Sequence, residues 1–173
     1  SWRKWIEAVR AGRTVATNGP LLFAQVDGQE PGSELSARGH VTVDLDLATI
    51  APVDVIEIIV DGDIARTISV AEGERWLTAQ ESVPVEGARW IAVRARGGKA
   101  RYSGDNYTFA HTAPVYFRDA PPNDASRASA DFLAVVIEEI WRRVDQRDAW
   151  LRPEDREVYR RHLDEALARL AAN

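Results

Sequence analysis

The chain contains no cysteine and no methionine, and it has only three histidines. Without cysteine there is no disulfide, no thiolate nucleophile and no Cys-ligated metal. His40, His111 and His162 are far apart, and none stands in an H-x-H or H-E-x-x-H pair that would put two imidazoles on one ion. Long apolar runs are lacking too: nothing approaches the roughly 20 residues that span a bilayer, so no transmembrane segment is expected. An excess of positive charge is also missing. The formal net charge is -5, and the arginines are interspersed with Asp and Glu, which argues against nucleic acid or anionic membrane as a partner. No signal-peptide shape is present. The chain opens at Ser1 inside a helical pattern, so the expectation is a piece of a longer protein, with any targeting signal upstream and the compartment left open.

What is there is ordinary globular composition, 45% hydrophobic and 28% charged. The 173 residues suffice for one full core and a small satellite element. Trp2, Trp5, Ile6 and Val9 recur at helical spacing and Gly12 closes the pattern, which predicts a short N-terminal helix within residues 1–13. The period then changes to alternation. Val41, Val43, Leu45 and Leu47 alternate with Thr42, Asp44 and Asp46, as in a half-buried strand. Asp61-Gly62 separates two apolar runs and predicts a two-residue hairpin, because both residues tolerate positive φ. A second turn is expected at Glu86-Gly87, and Tyr107–Phe117 reads as a last strand broken at Pro114. Roughly eight strands with no helix-length spacer between them favour a two-sheet antiparallel β-sandwich over residues 14–118, immunoglobulin- or fibronectin-like.

The composition shifts at Asp119, and Pro121-Pro122-Asn123-Asp124 reads as a linker. Beyond it, Phe132, Val136, Ile137, Ile140, Trp141 and Val144 form an apolar helical stripe, with Glu138–Arg142 and Glu139–Arg143 as i,i+4 pairs. Pro153 suits the first position of another helix, so residues 124–173 are expected to form an α-hairpin.

No reactive constellation emerges. Gly-x-Ser-x-Gly, the P-loop and Gly-x-Gly-x-x-Gly before a helix are all absent. Asp44 with Asp46, and Glu138 with Glu139, read as solvated charges, while Asp61 and Asp63 are explained by turn chemistry. His40 reads as a turn residue and His162 as a surface residue. His111 lies inside a strand, where it either braces the sheet edge or reaches a site shared with another domain. Trp2, Trp5, Trp141 and Trp150 suit packing, which leaves Trp76 and Trp90 as candidates for an aromatic binding surface.

The segment Trp5-Ile6-Glu7-Ala8-Val9-Arg10-Ala11-Gly12-Arg13-Thr14-Val15-Ala16-Thr17-Asn18-Gly19-Pro20-Leu21-Leu22 resembles the stretch that follows the catalytic region in CehA/McbA-type metallohydrolases of the PHP superfamily. Ala110-His111-Thr112-Ala113-Pro114-Val115-Tyr116 resembles that family's Ala-His-Thr-Ser-Pro-Val-Tyr motif, with Ala113 in the serine position. Val26-Asp27-Gly28, Pro31-Gly32, Asp61-Gly62 and Trp90 with Val93 and Arg94 agree with it, and the resemblance covers about residues 2–118. It implies an upstream domain that holds a divalent metal and does the hydrolysis. None of that domain's ligands maps onto this chain, so no catalytic, cofactor or metal residue is expected here. Asn18 and His111 are the two positions that would face the missing domain. The first expectation is therefore a non-catalytic accessory domain packed beside, and walling the cleft of, an intramolecular metal-binding domain. A carbohydrate- or surface-binding module using Trp76 or Trp90, and a homodimerisation module acting through the helical hairpin, stand as alternatives.

Overall fold

The computed structural model describes the chain except for residues 37, 38, 103, 119, 122, 148, 172 and 173. Asp119 and Pro122, where the composition shift and part of the linker were expected, lie outside the described residues. The chain forms two compact units, Ser1–Pro121 and Pro122–Asn173.

The first unit opens with helix α1 (Trp2–Arg10) and continues through ten strands: β1 (Val15–Thr17), β2 (Leu21–Val26), β3 (Glu34–Leu35), β4 (His40–Ala48), β5 (Val55–Val60), β6 (Asp63–Ser69), β7 (Trp76–Pro84), β8 (Trp90–Gly97), β9 (Thr108–Thr112) and β10 (Val115–Phe117). A small antiparallel sheet has the order β2-β4-β7. In the large sheet, β8 is flanked on one side by β5 and β6. On its other side lie β9 and β10, which in turn carry β1 and β3.

Alternation builds the core. Val41, Val43, Leu45 and Leu47 of β4 point inward with Leu22, Ala24 and Val26 of β2, and they meet Ile56, Ile58, Ile91 and Val93 of the large sheet in one cluster. Each fully buried aliphatic side chain of this kind contributes about 1.5–3 kcal/mol. The Asp61-Gly62 hairpin forms as expected, with φ of 51° and 100° at its two residues. The Asp61 carboxylate also accepts from the backbone N–H of Arg89 and Trp90, which ties the turn to the start of β8.

One expectation is corrected. The fold is not antiparallel throughout, because β3 runs parallel to β10, pairing Glu34 with Tyr116 and Leu35 with Phe117. The turn expected at Glu86-Gly87 forms, with the Ala88 N–H donating to the Val85 carbonyl at 3.0 Å, and it carries the chain from β7 in one sheet to β8 in the other. Pro114 lies at a bulge in the edge of the large sheet. Arg94 lies opposite His111, but Ile91 lies opposite Val115, so one extra residue is accommodated between β9 and β10. That bulge brings Val115 and Phe117 into the core after Ala110 and Thr112, and it splits one long edge into two short ones.

The second unit is an α-hairpin of α2 (Asp124–Asp145) and α3 (Pro153–Ala171). Asn123 caps α2 by accepting from the Ser126 N–H at 2.8 Å, and Pro153 is the first residue of α3. Trp141, Trp150 and Tyr159 cluster with ring centroids 5.8–6.4 Å apart. The expected charge pairing is half right. Glu139 binds Arg143, but Glu138 turns away from Arg142 and takes Arg160 of α3 at 2.9 Å. Arg160 is drawn there because its guanidinium also lies 5.3 Å from the centre of the Trp141 ring.

Candidate functional site

Two segments singled out in the sequence, the one around Asn18 and the one around His111, lie side by side. β1 pairs antiparallel with β9, setting Ala16 opposite His111 and Thr17 opposite Ala110. Asn18 extends the pairing beyond β1. Its N–H donates to the Phe109 carbonyl at 3.1 Å, its Oδ1 accepts from the Phe109 N–H at 2.8 Å, and its Nδ2 donates to Asp105 and to the Tyr107 carbonyl at 2.9 Å. An asparagine suits this position because one amide supplies both a donor and an acceptor to a strand end. Asn18 thus has a complete structural role.

His111 sits on the outer face of β9, half-buried, with its ring 6.2 Å from that of Phe109. Its Nδ1 lies 2.6 Å from the Thr112 carbonyl oxygen. A carbonyl only accepts, so Nδ1 is the donor in this contact, and Nε2 is the ring nitrogen left to face outward.

Helix α1 is anchored beside this seam by glycines. A Cβ on Gly32 would fall 1.9 Å from the Ala11 carbonyl oxygen, and the Gly32 N–H donates to the Pro114 carbonyl at 2.8 Å. Gly12, at φ 70°, faces Gly32, and the Ala113 N–H donates to Thr14. Pro31-Gly32, Gly12 and Pro114, distant in sequence, therefore meet at one point that holds the end of the helix. Trp2 and Trp5, expected to pack, are instead 68% and 69% exposed, together with an exposed Val9. Only Ile6 and Ala8 of α1 are half-buried.

The most unusual charge was not singled out in the sequence. Glu57 alternates outward from the core between Ile56 and Ile58, yet its side chain is only 3% exposed. Opposite it on β8 stands Arg94, with Arg96 two residues on. Arg94 Nε and Arg96 Nε donate to Oε2 at 2.8 and 2.9 Å, and Arg96 Nη2 donates to Oε1. Those bonds, Arg96's foremost, outweigh burial and hold the Glu57 carboxyl at about 2. Arg94 is also opposite His111, so the outer face of the large sheet runs His111, Arg94, Glu57 across three strands. The sequence signal was a lone Glu inside an apolar strand, with two arginines at a spacing of two on another.

Trp76 and Trp90 do not form one surface, since they belong to different sheets. Trp90 is half-buried beside Tyr116. Trp76 stands 76% exposed on the outer face of the small sheet, in the row Leu21–Ala48–Trp76. The next rows carry Asp46 accepting from the Thr78 hydroxyl and Asp44 accepting from Gln80 Nε2, both at 2.6 Å. His40 and His162 are exposed. Among the described residues, no three His, Cys, Asp or Glu side chains gather as a metal-holding group, and no helix is long and apolar enough to cross a membrane. Compared with known proteins, the chain matches no family model, and neither a curated protein nor a solved structure is significantly similar to it.

Proposed function

We propose that this chain is a non-catalytic β-sandwich domain, immunoglobulin- or fibronectin-like in kind, that packs against the metal-bearing domain of a PHP-type hydrolase and walls one side of its cleft. One observation carries this reading: the segments that resemble that family converge beside a helix whose Trp2, Trp5 and Val9 have nothing of this unit to cover them. Two exposed tryptophans on a helix fixed at its far end by the Gly12–Gly32 contact make a ready interdomain anchor. His111 Nε2 would then face the cleft as a hydrogen-bonding group rather than as a ligand. Ligand pockets favour such domain interfaces.

Expressed alone, the chain is expected to hold no stoichiometric zinc or manganese and to hydrolyse neither esters nor phosphoesters. Fused behind a metal-bearing domain of such a hydrolase, the chain is expected to have its Trp2–Arg10 helix protected from proteolysis, and Trp2→Ala with Trp5→Ala is expected to undo that protection. Stoichiometric metal with turnover by the isolated chain would defeat the reading.

A second reading rests on Trp76. A bare indole beside the Thr78, Gln80, Asp44 and Asp46 network is also the composition of a sugar-stacking platform. Quenching of tryptophan fluorescence by a glycan, lost in Trp76→Ala, would favour it.

A further inference from the structure

We infer that the edge of β2 accepts an extended peptide strand bearing basic side chains. β2, Leu-Leu-Phe-Ala-Gln-Val, is an outer strand of the small sheet and pairs only with β4. The Asp27 N–H donates to the Thr42 carbonyl, so the residues in phase with Asp27 (Gln25, Phe23 and Leu21) bond β4. The N–H and C=O of Leu22, Ala24 and Val26 therefore point the other way. Val26 satisfies its pair by bonding Gln29 across the following turn. Leu22 and Ala24 pair with no strand on that side among the described residues.

The other outer strands are protected against such pairing. β3 has two residues and β1 three; β6 carries Asp63 and Arg66; β7 points Glu81 toward the core side and ends at Pro84. β2 alone is six residues long with neither charge nor proline. A cleft of about 380 Å³ adjoins it, lined by Leu22, Ala24 and Phe23 on the β2 side and by Thr14 and Val15 on the other. In β1 the Asn18 N–H bonds Phe109 and the Thr14 carbonyl bonds Ala113, which puts Val15 out of phase with β9 and turns its backbone groups outward as well. A single strand laid in this slot would find free backbone donors and acceptors on both walls.

Charge selects the occupant. Arg13 is the one cation lining the cleft, against Glu30, Asp44 and Asp46, and it lies 3.5 Å from Glu30. Asp44 and Asp46 stand on the outward side of the sheet, hydrogen-bonded to Gln80 and Thr78 but to no cation among the described residues. A strand added beside β2 turns alternate side chains to that side, where Lys or Arg complements the two carboxylates. A second copy of the chain fits poorly, because two β2 edges would bring two pairs of carboxylates onto one face. The inference rests on the edge geometry and is independent of the accessory-domain reading.

The test uses the whole chain and two blocked pentapeptides, acetyl-Val-Lys-Val-Lys-Val-amide and its glutamate counterpart. Amide hydrogen exchange by NMR is expected to slow by about tenfold or more at Leu22 and Ala24 with the lysine peptide and not with the glutamate peptide. Ala24→Pro, which removes an edge-facing N–H, is expected to abolish the effect. Asp44→Asn with Asp46→Asn, which leaves the backbone intact, is expected to reduce the preference for lysine over glutamate. Unchanged exchange at Leu22 and Ala24, or equal binding of both peptides, would overturn the proposal. Concentration-dependent dimerisation that protects the same amides without peptide would overturn it in favour of a second copy.

Discussion

The sheet unit and the helical hairpin use their apolar residues in different ways. In Ser1–Pro121, side chains from both sheets interlock in one cluster where Val43, Ile56, Ile58, Val83 and Ile91 are wholly out of water. In Pro122–Asn173 no described residue is fully buried, and Phe132, Leu133, Val135 and Leu151 stay exposed. What joins α2 to α3 is a cluster of three aromatic rings crossed by ion pairs, Arg156 to Asp145 at 2.6 Å and Arg160 to Glu138 at 2.9 Å. Even there, Trp150 Nε1 is buried without a hydrogen-bond partner among the described residues. Two facing sheets can close on each other's apolar sides, whereas two helices share one seam and leave the rest of each cylinder to water or to a partner. The lesson is that the first unit is held by volume and the second by polar geometry.

That contrast can be broken most directly in the core. Ile58→Ala removes a fully buried branch facing the small sheet and should cost about 4 kcal/mol. Urea unfolding followed by near-ultraviolet and 222 nm circular dichroism should then show the sheet unit melting early while helical signal persists. One coincident transition would mean that the two units are not energetically separate.

Glu57 offers the next largest effect, because it is a charge kept by the sheet unit under near-core burial. Its carboxyl is held at about 2 against an ordinary 4.5, so the native state binds fewer protons than the unfolded chain between those values. The resulting stability is complete above pH 4.5 and is lost as pH falls toward 2. Glu57→Gln should therefore cost about 2 kcal/mol at pH 7, where it leaves Arg94 and Arg96 without their shared anion. The gap between the two proteins should narrow over that acid window. A gap that is constant from pH 7 to pH 2.5 would assign the loss to packing instead.

The smallest effect belongs to the hairpin. Arg160→Gln removes the bonds to Glu138 and Asp164 but acts on solvent-screened groups, so the smallest loss of stability of the three is expected, shrinking further in molar salt. A loss as large as that of Ile58→Ala would show that the hairpin depends on its ion pairs as strictly as the sheets depend on their core.

Some of this was legible in the residues. The alternation of β4 marked its inward side chains, Asp61-Gly62 announced its hairpin, and Pro153 the start of α3, because each is a local consequence of side-chain period or backbone freedom. Asn18 and His111 were picked out as positions, but nothing local revealed that they share a seam. The two-residue β3 was invisible because so short a strand has no period, and it exists only because the bulge at Pro114 frees part of an edge. The packing expected for Trp2 and Trp5 is not met within this unit, because helical spacing reports an apolar side without saying what covers it. Glu57 escaped notice because its burial needs two arginines supplied by another strand.

Local chemistry alone settled where this chain turns, which residues alternate and how its helices begin, since those follow from neighbours within a few positions. Which strands became neighbours, which edge was left unpaired and which charge was buried were settled only when segments some 40 to 90 residues apart met, as Arg96 meets Glu57 and Asn18 meets Phe109. Hydrogen bonds between strands and the burial of charge depend on partners that no local window contains.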